Sequence, residues 1–275
     1  MNNIWVPDTR NISEFYARES VVTALERLLN KIYGEIYTQI LPKHCFEDGK
    51  ILPIEDDSAF VLMDAMSLRE ATLLSRKLKE EGFDVEIDYS FSATPSDTVF
   101  YKEKINYKDL QKQFSTAEVV DRKKINLKGN EKIVWSRFPD AYIETIIAGR
   151  TKLSSIERMY KDTQQILLKV IEQLDADEIV VGSDHGYLRF EPGYSFITSD
   201  EAKRLLRNNF VGSRHLSMEE KNLDELVEKE MAVGFNGFYM VRGRYIWPMG
   251  GKYKVFVHGG VSLMECLTPR LIVKR

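Results

Sequence analysis

The sequence predicts an α/β/α sandwich built on a mostly parallel central sheet, and three stretches carry that prediction. Ile179-Val180-Val181 is a short β-branched run that breaks off into Gly182-Ser183-Asp184-His185-Gly186. A run that is apolar throughout and closed by a turn has the pattern of a strand buried on both faces. Ala59-Phe60-Val61-Leu62-Met63 repeats the pattern. It is followed by a helical stripe of Leu68, Ala71, Leu74 and Leu78, a stop at Gly82, and a second strand at Asp84-Val85-Glu86-Ile87, which together make one βαβ unit. Lys132 to Ser136 is the third such strand. A long helix over 154–174, with Ile156, Met159, Ile166, Leu167 and Val170 on its buried side, then leads to the strand before Asp184.

Composition bounds what such a domain can do. At 275 residues and 43% hydrophobic, the chain suffices for one α/β domain with an elaborated edge. Its formal charge of -3 argues against a general nucleic-acid binder, which would ordinarily be basic. Cys45 and Cys266 lie far apart without a CxxC pattern and read as reduced thiols of a cytoplasmic protein. The N-terminus has no basic-then-apolar leader, and no apolar run approaches the roughly 18 residues of a membrane span. The expectation is a soluble cytoplasmic protein with no membrane partner.

The chain divides at about residue 57. Residues 1–57 read as an N-terminal helical extension: apolar residues at helical spacing run from Ser20 to Ile32, Ile36 and Ile40 continue them, and Pro42 ends the helix. His44 and Cys45 are expected in a loop, with a turn at Asp48-Gly49. Within 58–275, the Lys-rich residues 102–131 read as a solvated, lid-like connection. Residues 187–237 read as a helical excursion over the sheet edge, with Ser217-Met218-Glu219-Glu220 resembling a capping box. Strands at Phe238–Tyr245 and 254–257 close the domain.

In open α/β sheets, ligands collect outside the carboxyl ends of the strands, and here those ends carry chemistry. Asp64 follows the first strand, as a helix cap or as a ligand. Ser92 to Asp97 is a loop into a helix opening near Thr98. A hydroxyl there sits in the positive field of a helix N-terminus, which favours an alkoxide and a bound phosphate, although Ser96 or Thr98 equally suits an N-cap. Asp140 stands just past the third strand, and Glu144 shares its helix face. Asp184 and His185 are a carboxylate and an imidazole side by side, both suited to zinc. His258, before two glycines at a strand end, is approachable. Arg189 and Arg214 are either phosphate-binding or solvated arginines. Asp, hydroxyl, Asp, Asp-His and His suit a one- or two-metal phosphoryl-transfer site.

In this order the segments resemble the PglZ domain of the alkaline phosphatase superfamily. The resemblance spans about residues 58–272 and is carried by Val61-Leu62-Met63-Asp64-Ala65-Met66-Ser67, the string Pro95 to Thr98, Ser183-Asp184-His185-Gly186, and His258-Gly259-Gly260-Val261-Ser262-Leu263-Met264-Glu265 with Pro269 behind it. It implies Thr98 as nucleophile, with Ser96 the runner-up, and Asp64, Asp184 and His185 around the metal that binds it. It further implies Asp140 and His258 at a second metal. One departure stands out: the superfamily's middle segment reads Asp-x-x-x-His, and this chain has Asp140 and Glu144. A carboxylate in place of an imidazole alters charge and metal preference, with zinc or manganese both compatible. The implied function is a metal-dependent phosphoesterase acting on phosphodiesters or nucleotides through a phospho-threonine. The alternatives are a catalytically weak PglZ module that binds a protein partner in phage defence or signalling, and a transferase or mutase on the same scaffold.

Overall fold

The computed structural model describes residues 4–5, 12–47, 54, 57–147, 156–248 and 253–275. The described N-terminal part is helical: α1 (Ile12–Ala17), α2 (Glu19–Ile32), a π-helical turn over Ile36–Ile40, and α3 (Leu41–Glu47). Pro42 does not end a helix but sits in the first turn of α3, where its missing N–H is tolerated. His44 and Cys45 are therefore helical rather than in a loop. The turn expected at Asp48-Gly49 lies outside the described residues. These helices share the core of the sheet: Trp5, Phe15, Tyr16 and Val22 are buried in it. Glu19, fully buried, lies 2.6 Å from both Arg69 and Arg244, and Glu26 lies 3.0 Å from Arg244.

The central elements follow. β1 (Ser58–Met63) is buried at every position. Its successor α4 (Leu68–Glu80) opens on the capping box of Ser67 and Glu70. Next come β2 (Asp84–Phe91), α5 (Thr98–Lys104), α6 (Tyr107–Gln113), β3 (Thr116–Val119), β4 (Ile133–Ser136), α7 (Asp140–Ile147), α8 (Ile156–Gln173) and β5 (Glu178–Gly182). The lid-like stretch is thus half ordered into α5, α6 and β3, and only 120–131 is irregular. Arg122 there is held by Tyr142 and Asp162 rather than solvated.

Beyond β5 the chain forms β6 (Leu188–Arg189), α9 (Asp200–Asn209), β7 (His215–Ser217), α10 (Asp224–Glu228), β8 (Ala232–Phe235), β9 (Phe238–Val241), β10 (Phe256–Val257), α11 (Leu263–Cys266) and β11 (Leu267–Lys274). The excursion is therefore not simply helical. Two short helices pack on a three-stranded antiparallel sheet, β7-β9-β8, around Leu206, Phe210, Leu226 and Trp247. Ser217 ends β7 and its hydroxyl accepts from the Glu219 N–H in a turn, so it caps no helix. Of the three strands the sequence predicts β9, though as far as Tyr245 rather than Val241; β7 and β8, of three and four residues, are too short to show a period of two and are not predicted.

The six-stranded sheet runs β2-β11-β5-β1-β4-β3. β5, β1, β4 and β3 pair in parallel, while β11 is antiparallel to both of its neighbours. β2 therefore points the same way as β1, as its βαβ unit requires, but two strands separate them. Alternate residues divide between two cores. Ala59, Val61, Val134, Ile179 and Val181 face Leu74 of α4 and Leu167 and Ile171 of α8. Phe60, Leu62, Trp135 and Val180 face Tyr101, Ile105 and Tyr107 beside α5 and α6. Each fully buried large side chain contributes about 1.5–3 kcal/mol, so covering both sheet faces is what fixes the sandwich.

Candidate metal centre

The carboxyl ends of β1 and β5 are adjacent because the two strands pair in register from Ser58 with Glu178 to Leu62 with Gly182. The chain leaves β1 at Asp64, and Ala65 turns with φ at 58°, a left-handed conformation that costs a non-glycine residue about 1–2 kcal/mol. That turn aims the Ala65 N–H at Asp184 Oδ1, 3.0 Å away, and the His185 N–H reaches the same oxygen at 2.9 Å. Ser183 Oγ is within hydrogen-bond reach of the carbonyls of Met63 (2.9 Å) and His185 (2.8 Å), tying the two strand ends together. Gly186 is required at the next position: a Cβ there would fall 2.0 Å from the Met264 carbonyl.

The N-terminus of α5 enters this junction. Its N-cap is Asp97, which accepts from the Val99 N–H at 3.2 Å, so neither Ser96 nor Thr98 is spent on capping. Thr98 Oγ1 lies 2.5 Å from Asp184 Oδ2, 3.2 Å from Asp64 Oδ1 and 3.3 Å from His185 Nε2. Ser96 is buried instead against the glycine loop, donating to the Gly260 carbonyl and accepting from the Gly259 N–H. Its oxygen is a clasp for the turn after His258, and Gly259 has the positive φ, 100°, that the turn needs.

A cavity of about 320 Å³ collects the expected residues: Asp64, Thr98, Asp140, Glu144, His185 and His258 all line it. Asp184 is fully buried directly behind Thr98. Arg189 is elsewhere, over the ring of Tyr16 and paired with Glu191, and does not line the cavity. Arg214 is likewise buried, holding Glu265 and the carbonyls of Gly243 and Tyr245. The side chains that sequence reasoning missed are Asp97, whose carboxylate lies 3.6 Å from His258 Nδ1, and Lys102, Glu118, Trp135 and Arg137 on the cavity wall. Asp97 carried a signal, since Asp is as good an N-cap as Ser or Thr.

The electrostatics are those of a crowded acidic site. Burial, and then the Asp184 carboxylate, push Asp64 well above the carboxylate range. Asp140 is raised to about 6, chiefly by burial. Burial opposes charge on His185, yet the carboxylates of Asp184, Asp64 and Asp140 outweigh it and lift the imidazole to about 9. His258, half-buried and stacked on His185, is pushed down to about 4 by desolvation and then by the charge on His185.

These residues fit a divalent metal. One ligand atom each from Asp64, Asp184 and His185 can be chosen so that all lie within 4.8 Å of one another. His185 Nδ1 faces the Gly186 carbonyl at 2.9 Å, which only accepts, so Nδ1 carries the proton and the neutral ring leaves Nε2 free to ligate. The raised carboxylates express negative charge that a cation would satisfy, and the mixed O and N donor set suits zinc.

A parallel-sheet sandwich with carboxylates, imidazoles and a helix-terminal hydroxyl at its strand ends defines a phosphoesterase-like fold. The chain belongs to the PglZ family: the model described as the BREX system PglZ alkaline phosphatase-like domain matches residues 101–273. Asp140, Asp184, His185 and His258 fall inside that stretch, and Asp64 and Thr98 precede it. Among curated proteins none matches. Similar solved structures include murine ectonucleotide pyrophosphatase/phosphodiesterase 5, in an inactive form with AMP, at 10% identity and a TM-score of 0.32 over 62% of each chain. Phosphonoacetate hydrolase from Sinorhizobium meliloti 1021, with phosphonoacetate, gives 10% identity and a TM-score of 0.28 over 78% of this chain and 65% of that one. The chain thus spans less than two thirds of either neighbour. Among the described residues, no helix is long and apolar enough to cross a membrane.

Proposed function

We propose that this PglZ-family protein is a cytoplasmic metal-dependent phosphoesterase, directed at phosphodiesters or nucleotides, with Thr98 as nucleophile. The observation that carries the reading is the Thr98 hydroxyl lying within 3.3 Å of Asp64, Asp184 and His185 together. Those three would hold the metal, zinc first and manganese as the alternative, and bound there it would supply charge that lowers the hydroxyl pKa and steadies phosphoryl oxygens. The chain's own part is positional. Asp184 Oδ2 takes the Thr98 hydrogen bond and fixes the direction of the remaining lone pairs, while the left-handed Ala65 and the His185 N–H lock that carboxylate. Thr98 Oγ1 loses its proton to solvent and attacks phosphorus, the bond to the leaving oxygen breaks and that alcohol departs, and water then cleaves the phospho-threonine, releasing the phosphate product and restoring the hydroxyl. Asp140, Glu144 and His258 line the same cavity and are the residues a second ion would draw on.

The test is elemental analysis of purified protein, paired with turnover of bis-p-nitrophenyl phosphate in zinc or manganese. Bound metal and turnover that disappears in Thr98→Ala and Asp184→Ala support the reading, and full activity in Thr98→Ala overturns the nucleophile. One observation favours a second reading, a catalytically silent module that binds a protein partner in defence or signalling. Glu144, where the superfamily has histidine, is exposed and lies 3.5 Å from Arg137 rather than turned onto the imidazoles. Protein without metal or turnover would favour that reading.

A further inference from the structure

Lys102 stands one helical turn after Thr98 on α5, so the two side chains leave the same face of the helix and both line the cavity. Its ammonium lies 4.3 Å from the centroid of the Trp135 ring and 5.5 Å from that of Tyr107. Aromatic faces attract a cation and hold it in place without neutralising it. Among the described residues Lys102 forms no ion pair, whereas Arg137, the other base on the wall, is half exposed and already faces Glu144. The remaining wall is acidic, with Asp64, Asp97, Glu118, Asp140 and Glu144 around the opening. An anion entering such a cavity meets mostly carboxylates; apart from a bound metal and the site imidazoles, Lys102 is the lining cation that no carboxylate pairs.

We propose that Lys102 binds a non-bridging oxygen of the substrate's phosphoryl group, held ready by Trp135 and Tyr107. The proposal rests on the reading of Thr98 as nucleophile, which puts the phosphorus in the cavity that Lys102, one helical turn along α5, also lines. It also sharpens the substrate class. A phosphodiester carries one negative charge and a monoester nearly two, and one free ammonium among five carboxylates matches the diester.

The experiment is calorimetric titration of bis-p-nitrophenyl phosphate into the zinc-loaded Thr98→Ala protein, alone and with Lys102→Met or Lys102→Arg added. Methionine keeps the stem over the two rings and removes the charge. The expected result is affinity weakened about 10- to 100-fold by methionine and largely restored by arginine, with zinc affinity and unfolding temperature unchanged. Equal affinity with and without the Lys102 charge overturns the proposal, as does failure of the parent to bind the diester. A methionine variant that loses zinc and stability in step with affinity overturns it too. Should Thr98→Ala retain turnover, the nucleophile reading falls, and the comparison passes to KM. A rise in KM with unchanged kcat in Lys102→Met then keeps the lysine contact, and an unchanged KM removes it.

Discussion

The rings of His185 and His258 stack 4.2 Å apart at an interplanar angle of 19°. Two imidazolium ions cannot share that contact, and the surroundings decide which ring takes the proton. His185, surrounded by Asp184, Asp64 and Asp140, titrates at about 9, and His258 at about 4. In metal-free protein the raised His185 stabilises the fold fully below its ordinary 6.5, an increment lost as pH climbs through 9. The depressed His258 has the opposite sign: its increment is present above 6.5 and lost as pH falls through 4. NMR titration of the metal-free protein should find His185 and His258 at opposite extremes, and these two titrating together near 6.5 would refute the arrangement.

Metal binding should follow the same window. Ligands must shed protons to coordinate, and His185 near 9 and the raised Asp64 hold theirs. The rise in Tm on adding zinc should therefore be larger at pH 8 than at pH 5.5, disappear with chelator, and be absent in Asp184→Asn. A thermal shift independent of pH would place the ion elsewhere.

The described residues present one three-ligand group, and Glu144 faces Arg137. Purified protein should hold close to one equivalent of zinc. Glu144→His, which restores the spacing of Asp and His four apart, should raise the content toward two, read by elemental analysis. Two equivalents in the unmodified protein would show that the carboxylate serves as well as the imidazole.

Gly186 passes so close to α11 that Gly186→Ala should cost about 3 kcal/mol, lowering Tm by roughly 6–12 °C. Because the same backbone carries His185, zinc affinity should fall with it. A variant as stable as the parent would mean that the two segments separate freely.

Glu19→Ala would leave Arg69 and Arg244 buried without their shared carboxylate. Removing one partner of a buried pair costs about 3–5 kcal/mol, so the urea midpoint should drop steeply. A loss under 1 kcal/mol would imply that water reaches the arginines.

The strand ends were legible because the strands that bear them are long, apolar and broken by turn residues. Asp64, Asp140 and His185 could be located from that pattern alone, and they meet because neighbouring parallel strands end at the same sheet edge. Arg189 misled because charge says nothing about the direction of a side chain: two residues of β6 carry it toward Tyr16. Lys102 was passed over because a lysine in a basic segment looks solvated, and only the packing of α5 on β4 brings Trp135 beneath it. Pro42 was misread because proline breaks helix interiors and tolerates first turns, and sequence does not say which turn is first.

The order of the sheet also makes one strand depend on the far end of the sequence. β2 has a single neighbour, β11, and Phe91 pairs with Leu267 across most of the chain. β2 thus has no partner until β11 is in place, whereas the parallel pairs draw only on residues up to β5. Asp84, Glu86 and Asp88 alternate along it, exposed, like charges that discourage another chain from docking in the meantime. Pairing of β2 with β11 also fixes the chain that leaves it for Thr98, so the placing of the hydroxyl proposed as nucleophile depends on that long-range pairing.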